Sequence, residues 1–549
     1  LPSIPVPPIR ISSDISPSVM IPAFSFSFVL CYSQEDAWVF FSDKLNVQNA
    51  LQNPNSILTE RALNRKTAQN IAIDERDVPI NENYINTLKQ QNGIVVLAKS
   101  KWFNAVHVRG SEIDINLLSQ FSFVFQIDFA NKNISDYSKR AEIGDKLHEM
   151  KTDQADSNYG ATQNQTEMIN LDLLHSANFK GNGVHIAVMD AGFPAVNTMG
   201  AFERLRDQNK LLGGYDFVDR LNDVYAFSGN AHGTMVLSTM GAYIENEYEG
   251  TAIDASYYLF RTEDVFSETP LEESLWVEAA ERADSLGVDI INSSLGYTTF
   301  DNSNYNYTNS DMDGTVAFIS KGAGIAYEKG ILVVNSAGNS GANSWTIIGA
   351  PADHEDVFSI GAVNSNGDYA YFSSIGNNQM PFIKPDVVAR GLGSAIVDVS
   401  NTIQNYNGTS FSGPIVAGAM ACLKQALPHF SNDDLKLFVQ SSSSQYTSPD
   451  LLLGYGIPDF SLAYQLSLKK IESEKLRFKY DNDFRALELI SDFIQNMEFT
   501  IYDISGKLII KSDFSEHRKF IDCSGFNNGI YLLKYSHSLQ SQYFKFVIY

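Results

Sequence analysis

VHIAVMDAG, residues 184–192, is the stretch on which the reading of this chain turns. A nearly unbroken apolar run stops at an aspartate and then at two small residues. A run without polar alternation suits a strand covered on both faces. Outward from it the pattern repeats. SYYLF at 256–260, VDIINSSL at 288–295 and ILVVNSAG at 331–338 read as further strands. Between them lie helical stretches, AHGTMVLSTMGAYI at 231–244, EESLWVEAAERADSLG at 272–287 and AFISKGAGIAYEKG at 317–330. Strands alternating with helices of about 10–15 residues predict an α/β unit, a parallel sheet with helices on both faces, over 166–465.

The whole chain has 549 residues, 44% of them hydrophobic and 12% aromatic, which is ample for packed cores and excludes a mostly disordered chain. At roughly 150 residues per domain, the length allows several units. No run of apolar residues is long enough for a membrane span. The net charge is -24, and such a surface repels phosphate backbones, so no nucleic-acid partner is expected. The charge is unevenly spread: residues 166–469 hold 14 basic and 35 acidic residues, residues 470–549 hold 11 of each. The middle and the tail therefore read as different domains. Cys31, Cys422 and Cys523 are far apart and fit neither a zinc site nor a disulfide framework.

The flanks divide further. Ile21–Leu30 reads as the short apolar core of a secretory signal over 20–34, with cleavage near Ser33 or Gln34 and Met20 nearer the start than Leu1. A buried core strand is the other reading of that stretch. Residues 35–131 mix strand-like runs (WVFF, GIVVLA, AVHVRG, FVFQIDF) with the helical SILTERALNRKTAQN, and predict a small α+β unit. Residues 132–165 are polar and read as an exposed linker of the kind that proteases cut. Residues 471–549 hold short strand runs split by the turn signals SGK and FNNG, which predicts a small all-β, sandwich-like module.

Three motifs in the α/β block carry chemistry. Asp190 closes the strand of VHIAVMDAG. His232 opens the helix of NAHGTMVLSTMGA, with Gly233 leaving room beside it. Ser410 sits in NGTSFSGPIVAGAMACL as a surface-accessible residue where a glycine turn runs into a helix, with Pro414 expected in the first turn. A serine hydroxyl is a weak nucleophile until a base takes its proton. Histidine titrates near neutrality and can be that base. A buried carboxylate holds the imidazole in the required tautomer. In ILVVNSAGNSG, Asn339 could aim its amide at the oxyanion of a tetrahedral intermediate. Singly, each of these is more often a turn residue or a helix start.

Together and in this order they resemble the subtilisin-like serine proteases. DAG at 190–192, HGT at 232–234, NSAGN at 335–339 and GTSFSGP at 408–414 match that family's motifs. FSSIG at 372–376 and KPDVVARG at 384–391 resemble its connecting segments, with Arg390 where the family usually has proline. The resemblance covers roughly residues 166–465 and implies a serine endopeptidase acting through Asp190, His232 and Ser410, with Asn339 at the oxyanion. SSLGY at 293–297 resembles the strand that pairs with the substrate backbone, so Ser294, Leu295 and Gly296 are implied as substrate-binding. Gly338 and Gly349 are implied at the floor of an open, apolar pocket, with no charge at Ser340. The pocket would then favour large apolar or aromatic residues before the cut, unless surrounding loops narrow it. Ala350–Pro351 matches a position that is often cis in the family.

No cofactor is required by this chemistry. Calcium is conceivable at TNSDMDGT, 308–315, where Asp311 and Asp313 precede a glycine, although a solvated turn is the commoner use of that spacing. His185 and the seven other histidines apart from His232 read as structural. Residues 35–131 stand where the family carries a propeptide. The tail, with FTIYDISGK, NNGIYLLKY and FKFVIY, resembles the sorting domain of type IX secretion; a carbohydrate-binding or adhesive module is the alternative. The expectation is a secreted or surface endopeptidase made as a zymogen, with polypeptide substrates and the type IX machinery as partners. A surface binding protein on a degenerate protease fold is the competing class, and the intact Asp190, His232, Asn339 and Ser410 argue against it.

Overall fold

The computed structural model describes residues 33–134, 159–473, 477–481, 483–490, 497–514, 518–537 and 540–549. The signal-like stretch through Cys31 and most of the predicted linker lie outside these residues.

The first unit is the predicted α+β unit. Strands β1 (Gln34–Phe41), β2 (Val95–Ser100), β3 (Ala105–Ser111) and β4 (Val124–Phe129) form an antiparallel sheet in the order β2–β3–β1–β4. Helix α1 (Glu60–Ala68) precedes β2. It starts at Thr59, whose side chain accepts the Ala62 N–H, and carries Glu60 in its first turn and Arg65 and Lys66 in its last, which suits its dipole.

The second unit is the α/β block. Strands β5 (His185–Asp190), β6 (Leu211–Asp216), β7 (Ser256–Arg261), β8 (Ile290–Ser293), β9 (Leu332–Ser336), β10 (Phe358–Val363) and β11 (Val387–Arg390) pair in parallel in the order β11–β10–β9–β8–β5–β7–β6. The unbroken apolar runs are explained by burial on both faces. In β5, Ile186 and Val188 join the core beneath helices α2 (His232–Gly241) and α3 (Thr409–Ala426). Ala187 and Met189, pointing the other way, join the core beneath α4 (Pro270–Leu286) and α5 (Phe318–Glu328). Helix α4 shows why its sequence stops and starts where it does. Thr269 and Glu272 form a capping box with Pro270 at the first helical position, and Gly287 ends it at φ 79.

The first unit docks on the α4–α5 face. Trp38 stacks on Phe318, ring centroids 4.8 Å apart, and Trp38, Ala98 and Trp102 join the core of that face. Arg65 and Lys66 reach the fully buried Asp284 on α4, and Lys329 reaches Asp77 at 2.8 Å. The opposite charges offset one another where water is excluded.

Residues 159–165 correct the expectation of an exposed linker for that short stretch. Thr162 and Gln165 are buried. Thr162 Oγ1 donates to the Glu249 carbonyl at 2.8 Å, and the Gln165 amide exchanges bonds with Ala395 N and O at 2.9 and 3.3 Å. Polar side chains go inside when neighbouring backbone satisfies them, which composition does not reveal.

The tail forms two antiparallel sheets. Strands Arg477–Asp481, Ala486–Ile490 and Arg518–Asp522 make one, and Met497–Asp503, Leu508–Phe514, Gly529–His537 and Gln540–Ile548 make the other. Leu487, Leu489 and Ile521 meet Phe499, Ile501, Leu533 and Phe546 in a shared core, which is a sandwich. Cys422 and Cys523 are free thiols in separate cores. Among the described residues no helix is long and apolar enough to cross a membrane.

Candidate active site

Asp190 is the last residue of β5 and His232 the first of α2. The carboxyl ends of parallel strands are where such sheets hold ligands. Asp190 is 1% exposed, and its Oδ1 lies 2.8 Å from His232 Nδ1. Oδ1 also accepts the Ala191 N–H at 2.7 Å, so the carboxylate is fixed in orientation. With Nδ1 facing a carboxylate, the proton belongs on Nδ1, and Nε2 is left as the base end of the ring. The His232 N–H donates to Asn230 Oδ1 at 2.7 Å. Gly233 is required by the close approach: an added Cβ would lie 2.6 Å from the Gly192 carbonyl and 2.9 Å from the Asp190 Cβ.

Ser410 is the second residue of α3, so the helix starts a residue earlier than an exposed turn would allow, and Ser410 is buried. Gly408 makes the entry at φ 152, a conformation that favours glycine. His232 and Phe411, the residue after Ser410, have ring centroids 5.9 Å apart, which brings the base to the start of this helix. Pro414 lies in the second turn and not, as expected, in the first. It has no N–H to offer the Ser410 carbonyl four residues back. That carbonyl instead accepts the Ser294 hydroxyl at 3.2 Å. The proline thus frees an acceptor that ties the helix start to the strand implied for substrate binding.

Asn339 follows the end of β9 by three residues. Its Oδ1 accepts both the Thr409 N–H at 2.8 Å and the Thr409 hydroxyl at 3.0 Å. A backbone donor on one end identifies that end as oxygen. Nδ2 is therefore the end that can donate to a ligand beside Ser410. Gly338 sits at φ 101, where an added Cβ would come within 2.9 Å of Ser374 Oγ.

Ser294, Leu295 and Gly296 continue from β8. The Leu295 carbonyl accepts Asn335 Nδ2 at 3.0 Å. Tyr297 then pairs with Ala350 through two backbone bonds of 2.8 and 3.2 Å. Gly349 lies against the same turn, where a Cβ would be 2.8 Å from Thr298 Cγ2. The Ala350–Pro351 bond is cis, as is Lys384–Pro385. Arg390 donates to Asn164 Oδ1 at 3.0 Å.

Asp311 and Asp313 are not brought to this cluster as a metal site. Asp311 pairs with Lys132 at 2.7 Å and accepts the Thr308 N–H, and Asp313 caps Thr315. Among the described residues no group of three or more His, Cys, Asp or Glu side chains is arranged to hold a metal. Sequence reasoning missed Thr409, the clamp on Asn339, although it stands inside GTSFSGP beside the expected nucleophile. It also missed Asn335 and the long turn after Tyr297, which carry no local motif.

Comparison with known proteins gives three consecutive matches. The model of the subtilase family matches residues 181–456, that of the peptidase S8 propeptide domain of Bacteroidota residues 36–146, and that of the secretion system C-terminal sorting domain residues 483–549. Subtilisin DY of Bacillus licheniformis is 31% identical over 278 residues, covering 50% of this chain and 89% of that protein. Subtilisin NAT of Bacillus subtilis subsp. natto is 30% identical over 311 residues, 56% of this chain and 71% of its own length. Subtilisin Savinase of Lederbergia lenta is 28% identical over 280 residues, 50% and 89% respectively.

Proposed function

Since this chain belongs to the subtilase family, we propose that Ser410 is its nucleophile, His232 its general base, Asp190 the orienting carboxylate and Asn339 the oxyanion donor. The chain is a secreted serine endopeptidase made as a zymogen, with a propeptide before the catalytic domain and a type IX sorting domain after it. The observation that carries the assignment is the 2.8 Å bond from His232 Nδ1 to a buried Asp190, at the mouth of the helix that bears Ser410.

Ser410 Oγ attacks the scissile carbonyl while His232 Nε2 takes its proton. The imidazolium is stabilised through Nδ1–H to Asp190. Asn339 Nδ2 donates to the oxygen that becomes negative, and the amino end of α3 adds a favourable dipole. Collapse to the acyl-enzyme passes the proton from His232 to the leaving amine. Water, deprotonated by His232, then releases the acid and restores Ser410. These steps use the chain's own side chains. Ser294, Leu295 and Gly296 would pair with the substrate backbone. Gly338 and Gly349 would leave the adjacent pocket open for a large apolar residue before the cut.

The division follows the same reading: signal 20–34, propeptide 35–131, linker 132–165 cut by the enzyme itself, catalytic domain 166–465, and sorting domain 471–549 that engages the type IX machinery. A fluorophosphonate probe tests the assignment directly. It should label the mature protein and fail to label Ser410→Ala and His232→Ala. Equal labelling of the Ser410→Ala protein would refute Ser410 as the nucleophile.

A further inference from the structure

Lys132 leaves β4 by way of Ala130 and Asn131 and lands on the catalytic domain. Its Nζ lies 2.7 Å from Asp311 Oδ2 and 4.3 Å from the centroid of the Tyr307 ring. Its N–H faces the Asn304 carbonyl at 3.4 Å, and the next residue, Asn133, donates from Nδ2 to Asn304 Oδ1 at 3.0 Å. A basic side chain is thus held by a carboxylate and an aromatic face, while its backbone follows a neighbouring segment.

Among the described residues, Asp311, Tyr307 and Asn304, which hold this lysine, all belong to the catalytic domain. The Tyr307 hydroxyl donates to the buried Glu273 at 2.7 Å, and the Tyr307 N–H to the Thr298 carbonyl at 2.9 Å. Asp311 is oriented by the Thr308 N–H at 2.7 Å. The receptor therefore persists when the propeptide, whose family match runs to residue 146, departs with Lys132. Thr298 is two residues beyond Gly296, so its bond to Tyr307 ties the receptor to the segment implied for substrate. The catalytic region also carries 14 basic against 35 acidic residues, a field that draws basic chains toward it.

We propose that Asp311 and the Tyr307 ring form a substrate subsite for a lysine or arginine side chain, lying upstream of the scissile bond, which Lys132 occupies in the zymogen. The enzyme then takes polypeptides with a basic residue several positions before the cut. This rests on the proteolytic reading above. An ion pair about three-quarters covered and a cation over an aromatic face both favour the charged side chain, and neither favours a neutral one of equal length.

The test uses the mature wild-type enzyme and a series of quenched peptides without other charges. Each carries lysine or acetyl-lysine at one of roughly three to fifteen positions before the cut, a range that reaches from the scissile bond to the separation of Lys132 from the end of the propeptide match at residue 146. The expected result is a kcat/KM for lysine about tenfold above that for acetyl-lysine at one or two adjacent positions, the sum of a modest ion pair and a cation–π contact. That ratio should shrink in high salt. It should fall toward one in Asp311→Asn and fall partway in Tyr307→Leu. A ratio near one at every position in the wild type overturns the subsite, and needs no variant to mature. A ratio unchanged in Asp311→Asn overturns it as well. An enzyme that reacts with fluorophosphonate and cuts both peptide series equally fails the subsite alone. One that neither reacts nor cuts any peptide fails the proteolytic reading and the subsite together.

Discussion

Thr409→Val is the sharpest probe of the proposed oxyanion site. The Thr409 hydroxyl donates to Asn339 Oδ1 at 3.0 Å and accepts the Gly338 N–H at 3.1 Å. Valine keeps the shape and loses both bonds, each worth about 1 kcal/mol net. The backbone bond from Thr409 N to Asn339 Oδ1, 2.8 Å, survives. Asn339 thus keeps one of two anchors, and its amide is free to swing. We expect about 1.4 kcal/mol of transition-state stabilisation to be lost, or about tenfold in kcat. KM should hardly move, because the oxyanion exists only near the transition state. Asn339→Ala should cost more, about 2.7–4 kcal/mol, as loss of the corresponding asparagine donor does in a subtilisin. Kinetics on a neutral peptide, with melting curves run alongside, would read both. On the Asn339→Ala background Thr409→Val should cost no further kcat, since the group it positions is gone. Thr409→Ser should stay near the parent. A Thr409→Val enzyme with kcat within about twofold of the parent, or one whose loss persists in full without Asn339, would refute the positioning argument.

Three other outcomes are expected. Ser410→Ala should abolish peptide hydrolysis, and the purified mutant should stay full length, because the proposed self-cleavage of the linker needs Ser410; spontaneous maturation of that protein, seen by mass spectrometry, would rule out self-cleavage. Glu281 on α4 accepts Ser100 Oγ, Lys101 N and Trp102 N of the docked propeptide, and burial pushes its carboxyl up to about 7. Released into water it returns to about 4.3, so its contribution to docking is fully present below that pH and is lost as pH rises through about 7. In the Ser410→Ala precursor, hydrogen exchange of residues 100–104 should therefore speed up from pH 5 to 8 beyond the intrinsic change, and Glu281→Gln should flatten that excess. Truncation after Gln465 should leave an active protease that accumulates in the periplasm of a type IX host; loss of hydrolysis would make the tail part of the catalytic unit.

The sequence by itself determined the α/β class and marked Asp190, His232, Asn339 and Ser410 as candidates for the site. Both are local properties: a strand buried on two faces must be apolar throughout, and a residue at a strand end or helix start is marked by its immediate neighbours. The tertiary structure alone decided what surrounds them. Which end of the Asn339 amide faces a ligand depends on Thr409, seventy residues away. The carbonyl that Pro414 leaves unpaired finds Ser294, 116 residues away. Thr162 and Gln165 look exposed by polarity and are buried, because backbone from elsewhere satisfies them. Asp311 reads as a turn residue or a calcium ligand until Lys132, 179 residues earlier, is found on it. Each of these is a pairing between distant segments, set by how sheets and helices pack. One-dimensional patterns record which residues want burial or a partner, and packing alone chooses the partner.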